Sequence, residues 1–264
     1  MLNSPSAPGS THSLEYPGDA DPWGELFLRH LSLTTTAVLV DAAFFLKRAR
    51  RIWGQLTSDA AADRLHGLAL DHLRDGDGRR TARLYRIFVY DAPPARWKGH
   101  TPLARKPVDL GRSAVARWRD AFHEALRQKR KVALRLGELP DSLVTWRLRP
   151  SVVRALSRRE RTLHSITDDD FEPELRQKGV DMRLGLDIAS LAFKRQVNQI
   201  VLVAGDSDFV PAAKMARREG IDVVLDPMWA TIRSELREHV DGLRSVCPQP
   251  RSRNGTGSGA GRAP

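Results

Sequence analysis

Five aspartates hold the chemistry this chain is equipped for. Asp41 closes the apolar run TAVLVD, and Asp206 and Asp208 follow directly on the apolar run IVLVAG. Each run reads as a buried strand, so a fold that pairs them brings three carboxylates to one edge. Carboxylates gathered in one place repel one another unless a cation lies among them, and an all-oxygen donor set suits Mg²⁺ or Mn²⁺. Helix capping is the competing use: Asp206 or Ser207 can cap the helix that follows, with Pro211 in its first turn. A cap accounts for one carboxylate and hardly for three. Asp181 and Asp187 are six residues apart, about 120° out of phase on a regular helix. They converge only if Asp181 stands ahead of the first turn, which Gly179 permits. Asp91 also ends an apolar run, but Pro93 and Pro94 make a turn role as good an explanation.

The elements that must position these groups follow from hydrophobic period. TAVLVD gives a strand and Ala42 to Trp53 a helix; a second helix spans about Ala60 to Arg74 and stops at the GDG of Gly76–Gly78. Ile87–Tyr90 is a strand halted by the prolines. A helix is expected near Ser113–Gln128, then two alternating stretches, KVALRLGEL and SLVTWRLR, as strands with one wet face. The last third reads helix (Asp181–Lys194), strand (IVLVAG), helix (Asp208–Glu219), strand (IDVVLDP), an order that implies parallel pairing. The fold class is therefore α/β, a mainly parallel sheet with helices on both faces. Functional groups in such sheets gather at the carboxyl ends of the strands.

Composition narrows the setting. A chain of 264 residues with 41% hydrophobic positions can bury a substantial core. Its one cysteine, Cys247, can form no internal disulfide and builds no multi-cysteine zinc site. No apolar stretch is long enough to span a membrane, and the N-terminal residues lack the basic-then-apolar pattern of a secretory signal, so the expected location is the cytoplasm with no membrane partner. The net charge is +11, and Ala95–Leu163 alone holds 18 Lys/Arg against 6 Asp/Glu. A local excess of that size favours a polyanion, with Arg127, Lys129, Arg130 and Lys131 its densest run. The alternative is base-composition bias, since only 8 of the 43 basic residues are lysine. Residues 1–33 form an extension, largely disordered by composition, with an apolar docking patch at Trp23–Leu33. Residues 34–247 form the domain, and the Gly/Ser-rich stretch 248–264 a disordered tail.

Three segments together resemble one family: VLVDAAFF at 38–45, KGVDMRLGLD at 178–187 and VAGDSDFVPAAKMARREGIDVV at 203–224. In type, order and spacing they are similar to the NYN domain, the LabA-like branch of the PIN-like nucleases. The resemblance implies a Rossmann-like three-layer α/β/α sandwich and hydrolysis of RNA, single-stranded or structured, at an acidic Mg²⁺- or Mn²⁺-dependent site. DNA stays open as substrate, and so does a homodimer. Matched by position, Asp41, Asp187, Asp206 and Asp208 would be metal ligands, Asp181 a further catalytic carboxylate, and Lys178 and Ser207 substrate contacts. The basic stretch of about 95–167 aligns with nothing in the family and reads as an insertion. Its cations would hold the strand, with Trp97, Trp118 or Trp146 stacking on bases if exposed. Many family members carry an asparagine shortly after the first aspartate; this chain has Ala42, Ala43, Phe44 and Phe45.

Two rivals compete. A haloacid-dehalogenase-like phosphatase also starts from a strand ending in Asp, but it needs a second aspartate two residues on as general acid, and that position is Ala43. The other is a catalytically inactive RNA-binding module of the same fold, with Phe44 and Phe45 closing the site.

Overall fold

The computed structural model describes residues 33–139, 144–175 and 177–250. The N-terminal extension and most of the expected tail lie outside the described residues. In chain order the elements are β1 (Thr34–Asp41), α1 (Ala42–Trp53), α2 (Ser58–Asp71), β2 (Ala82–Asp91), β3 (Lys98–His100), β4 (Pro107–Asp109), α3 (Ala114–Arg127), β5 (Val132–Leu136), β6 (Thr145–Leu148) and α4 (Pro150–Ser157). There follow β7 (Phe171–Glu174), α5 (Val180–Phe193), β8 (Gln199–Val203), a 3₁₀ turn at Ser207–Phe209, α6 (Val210–Arg218), β9 (Asp222–Asp226), α7 (Ser234–Glu238) and β10 (Gly242–Leu243).

Six strands make one sheet in the order β10-β9-β8-β1-β2-β5, every neighbouring pair parallel. Because each parallel step needs a crossover, the helices fall on both faces. Alternation along β1 divides the core accordingly. Ala37 and Leu39 face a layer built on α5, α6 and α7, and Val38 and Val40 face one built on α1, α2 and α3. The molecule is thus a three-layer α/β/α sandwich. Chain direction reverses its order along the sheet between β1 and β8, so a crevice opens outside their carboxyl ends. Asp41 and Asp206 sit at that crevice.

The basic stretch 95–167 is not one insertion. Its helix α3 and strand β5 belong to the body: Phe122 and Leu126 are buried in the α1–α3 layer, and β5 pairs in parallel with β2 from Ile87↔Val132 to Asp91↔Leu136. At the end of the sheet β5 packs Val132 and Leu134 on the α1–α3 layer while Arg135 on its other face is exposed, so its sequence alternates like that of a half-wet strand. Only the segments between β2 and α3, and between β5 and α5, stand outside the sheet. They form two antiparallel ribbons, β3-β4 and β6-β7.

Candidate acidic site

Asp41 is both the last residue of β1 and the N-cap of α1. One carboxylate oxygen accepts the backbone N–H of Ala43 at 2.9 Å and of Phe44 at 3.2 Å. Burial pushes its carboxyl up from 3.8 to about 6; the nearby charges of Asp181 and Asp91 add to this, against the two capping N–H groups. Asp206 caps in turn, accepting from the N–H of Asp208 at 3.2 Å in the 3₁₀ turn after β8. Pro211 sits in the first turn of α6, where its missing N–H costs no bond. Capping therefore occupies Asp41 and Asp206 as well as grouping them.

Gly179 takes a left-handed conformation (φ 76°) as the N-cap of α5, which sets Asp181 in the first turn. Asp181 is exposed, and its carboxyl is raised, first by partial burial and then by Asp206 and Asp208. Besides Asp91, which also acts on Asp41, four carboxylates are thereby electrically linked: Asp41 with Asp181, and Asp181 with Asp206 and Asp208. Asp187 goes elsewhere, as helical phase requires. It accepts from the hydroxyl of fully buried Tyr90 at 2.9 Å and from Arg135 Nε at 3.1 Å. Burial and the Asp187 charge raise the Tyr90 phenol, so it stays a proton donor.

Asp91 is buried under the same edge. Arg119 Nη1 reaches its two oxygens at 2.8 and 2.6 Å, His123 Nε2 lies at 2.8 Å, and the N–H of Ala92 donates at 2.8 Å. Tyr90, Arg135, Arg119 and His123 escaped the sequence reading. The one available signal was Arg119 and His123 four residues apart on an otherwise apolar helix face, one turn of α3.

The remaining expected contacts are dispersed. Lys178 is exposed beside Gly179, its backbone bridged to Glu138. Ser207 Oγ accepts from Arg233 Nη1 at 3.4 Å. Arg127, Lys129, Arg130 and Lys131 end α3 and lead into β5, and so lie at the amino edge of the sheet, opposite the aspartates. Three of them are engaged there: Arg127 with Glu124 at 3.2 Å, Lys129 with Asp63, and Lys131 with the carbonyl of Leu84. Trp118 stacks on Phe122 and donates to the Leu56 carbonyl; Trp97 and Trp146 meet edge to face, with Trp146 donating to the His100 carbonyl. All three indoles serve packing.

The two ribbons leave from the carboxyl ends of β2 and β5, the aspartates' edge. They are tied through Asp168, which accepts from Thr101 Oγ1 and the N–H groups of Leu103 and Ala104. Their carboxylates are spent on such ties, as in Arg161–Asp170 and Arg147–Glu172. Arg105, Arg154 and Arg159 are exposed and, among the described residues, without an ion pair.

The donors present fit a hard divalent cation in type and charge, since linked carboxylates with raised proton affinity are groups a cation would relieve. Among the described residues no three His, Cys, Asp or Glu side chains converge closely enough to form a ready-made cage. Beside Asp41, the Phe44 ring fills the floor: a Cβ on Gly205 would stand 2.4 Å from Phe44 Cε2, which explains the glycine. Phe45 is fully buried in the core and does not close the site.

The family match covers the part of the chain that holds Asp181, Asp187, Asp206 and Asp208. Residues 146–246 match the family model for the NYN domain. The NYN domain is of the PIN-like nuclease superfamily, and the parallel sheet with helices on both faces accords with it. An uncharacterized protein of Methanocaldococcus jannaschii is 25% identical over 84 residues, 31% of this chain and 35% of that protein, so the match spans about a third of the relative's length. A crystal structure of a protein of unknown function from Vibrio parahaemolyticus aligns over 81% of this chain and 94% of its own, at 14% identity and a TM-score of 0.45. No helix among the described residues is long and apolar enough to cross a membrane.

Proposed function

We propose that the chain is a metal-dependent ribonuclease that cuts RNA internally at the carboxyl edge of the sheet. The observation that carries this reading is the set of four linked carboxylates, Asp41, Asp181, Asp206 and Asp208, outside the strand ends where order reverses. The NYN match adds the nuclease class. Asp41, Asp206, Asp208 and Asp181 would hold Mg²⁺ or Mn²⁺, which when bound lowers the pKa of a water and offsets charge on a phosphate. The protein's own part is placement. The caps fix Asp41 and Asp206, the left-handed Gly179 fixes Asp181, and Tyr90 with Arg135 holds Asp187 as a brace between α5 and the sheet. Lys178 and the free arginines of the ribbons are the cations on this edge that meet phosphates. With Mn²⁺, purified protein should shorten labelled single-stranded RNA and EDTA should stop it; RNA left intact with either metal retires the nuclease.

One observation favours a second reading, an RNA-binding module without catalysis. Phe44 packs against Gly205 just after Asp41, so the floor of the site is apolar. That module binds RNA equally well with and without metal and cuts none.

A further inference from the structure

The turn after β9 is built at a cost that packing alone does not explain. Met228 (φ 45°) and Trp229 (φ 61°) are consecutive left-handed residues, neither of them glycine, a conformation that side chains oppose and that survives only where the surroundings over-determine it. Here they do. The N–H of Met228 donates to Asp226 Oδ1 at 2.7 Å, and the Met228 carbonyl accepts from Arg48 Nε at 2.9 Å and Nη2 at 2.5 Å. Asp226, fully buried, is held from the other side by buried His72 at 2.8 Å. Trp229 is pinned by its backbone N–H to Ser245 Oγ at 3.1 Å and by indole Nε1 to the Cys247 carbonyl at 2.7 Å. Three buried polar groups, His72, Arg48 and Asp226, thus share one task. They hold a turn whose product is a fixed indole, 45% exposed.

That indole stands on the aspartates' edge. Strands β8 and β9 are neighbours, with Val203 level with Asp226. Asp206 is three residues beyond Val203, and Trp229 three beyond Asp226. The same loop then returns to the acidic turn, where exposed Arg233 donates to Ser207, the residue between Asp206 and Asp208. An anchored aromatic face on the same sheet edge as the carboxylates, and a guanidinium against the acidic turn, match the needs of a polynucleotide, an aromatic platform for a base and a cation for an adjoining phosphate.

We propose that Trp229 is a base-stacking residue for a single-stranded nucleic acid entering the acidic site, with Arg233 on the neighbouring phosphate. The proposal rests on the reading of that site as a nucleic-acid site, but not on its being catalytic. Stacking needs an unpaired base, so the loop selects single strands over blunt duplex and tolerates any base.

The test is metal-free binding of short RNA and DNA oligonucleotides, single-stranded or duplex, each with one 2-aminopurine, to wild type, Trp229→Phe, Trp229→Ala and Arg233→Gln. Wild type should bind single strands, quench the 2-aminopurine and discriminate against duplex. Trp229→Ala should lose the quenching and roughly 5- to 150-fold in affinity, the span of one stacked base, while Trp229→Phe keeps most of both. Arg233→Gln should weaken binding and lower its salt dependence with quenching intact. Thermal unfolding of each variant reports the fold separately. Unchanged affinity and quenching in Trp229→Ala, equal binding of duplex, or no single-strand binding by wild type would each overturn the proposal. RNA and DNA arms show which backbone is accepted. Cleavage by wild type, read separately with metal, decides catalysis, so single-strand binding without cutting fails the nuclease and leaves the stacking loop standing.

Discussion

Asp41→Asn should make the metal-free protein more stable at neutral pH. Asp41 keeps its proton to about 6 in the fold against 3.8 ordinarily, so between those values the folded state binds more protons than the unfolded one. Stability then falls as pH rises through that window, and the penalty is complete above it. A difference of about two pKa units corresponds to about 3 kcal/mol, reduced to roughly 2 kcal/mol because the group is only partly shielded. Asparagine caps a helix as well as aspartate, so the bonds to Ala43 and Phe44 survive while the charge goes. Urea unfolding in EDTA, followed by circular dichroism at pH 8 and pH 4, measures both ends. The variant should lead by roughly 2 kcal/mol at pH 8, and the gap should close towards pH 4. An equal gap at both pH values, or a variant weaker than wild type at pH 8, refutes the idea that burying the Asp41 charge strains the fold.

Arg119→Leu leaves Asp91 buried with only His123 and the Ala92 N–H and should cost about 2–4 kcal/mol in urea unfolding; a loss under about 1 kcal/mol would show that the Asp91 cluster is not an ion pair. Neutralising Arg105, Arg154 and Arg159 together should lower the slope of log affinity for single-stranded RNA against log salt by about 2. The same change at Arg127, Lys129, Arg130 and Lys131 should leave it unaltered, because those side chains lie at the opposite edge; the reverse pattern rejects the ribbons as the binding surface.

Much of this was legible in the residues. The runs TAVLVD and IVLVAG are central strands, and the aspartates that follow them share one edge because a parallel sheet puts all carboxyl ends together. Helical phase set Asp181 and Asp187 apart unless Asp181 stood ahead of the helix, and the resemblance placed both in the site; in the structure Asp181 lies in the first turn near Asp206 and Asp208, and Asp187 takes Tyr90 and Arg135 as partners. β5 was legible as a strand but not as a member of the sheet, since an edge strand alternates like a strand of a surface ribbon. Charge density singled out Arg127–Lys131, which lie at the amino edge of the sheet, because density along a chain says nothing about which edge it reaches. The brace of His72 and Arg48 on the turn at Met228 joins residues more than 150 positions apart and leaves no local signature.

The most direct test of the central claim is the rate of single-stranded RNA cleavage with Mn²⁺, Mg²⁺ or EDTA by wild type, Asp41→Asn and Asp206→Asn, prepared identically so that a contaminating nuclease would show in all three. Metal-dependent cutting by wild type that falls at least 100-fold in both variants is the predicted result, a loss of about 2.7 kcal/mol in transition-state stabilisation. Cutting that persists in the variants, or RNA bound by wild type and never cut, would contradict it.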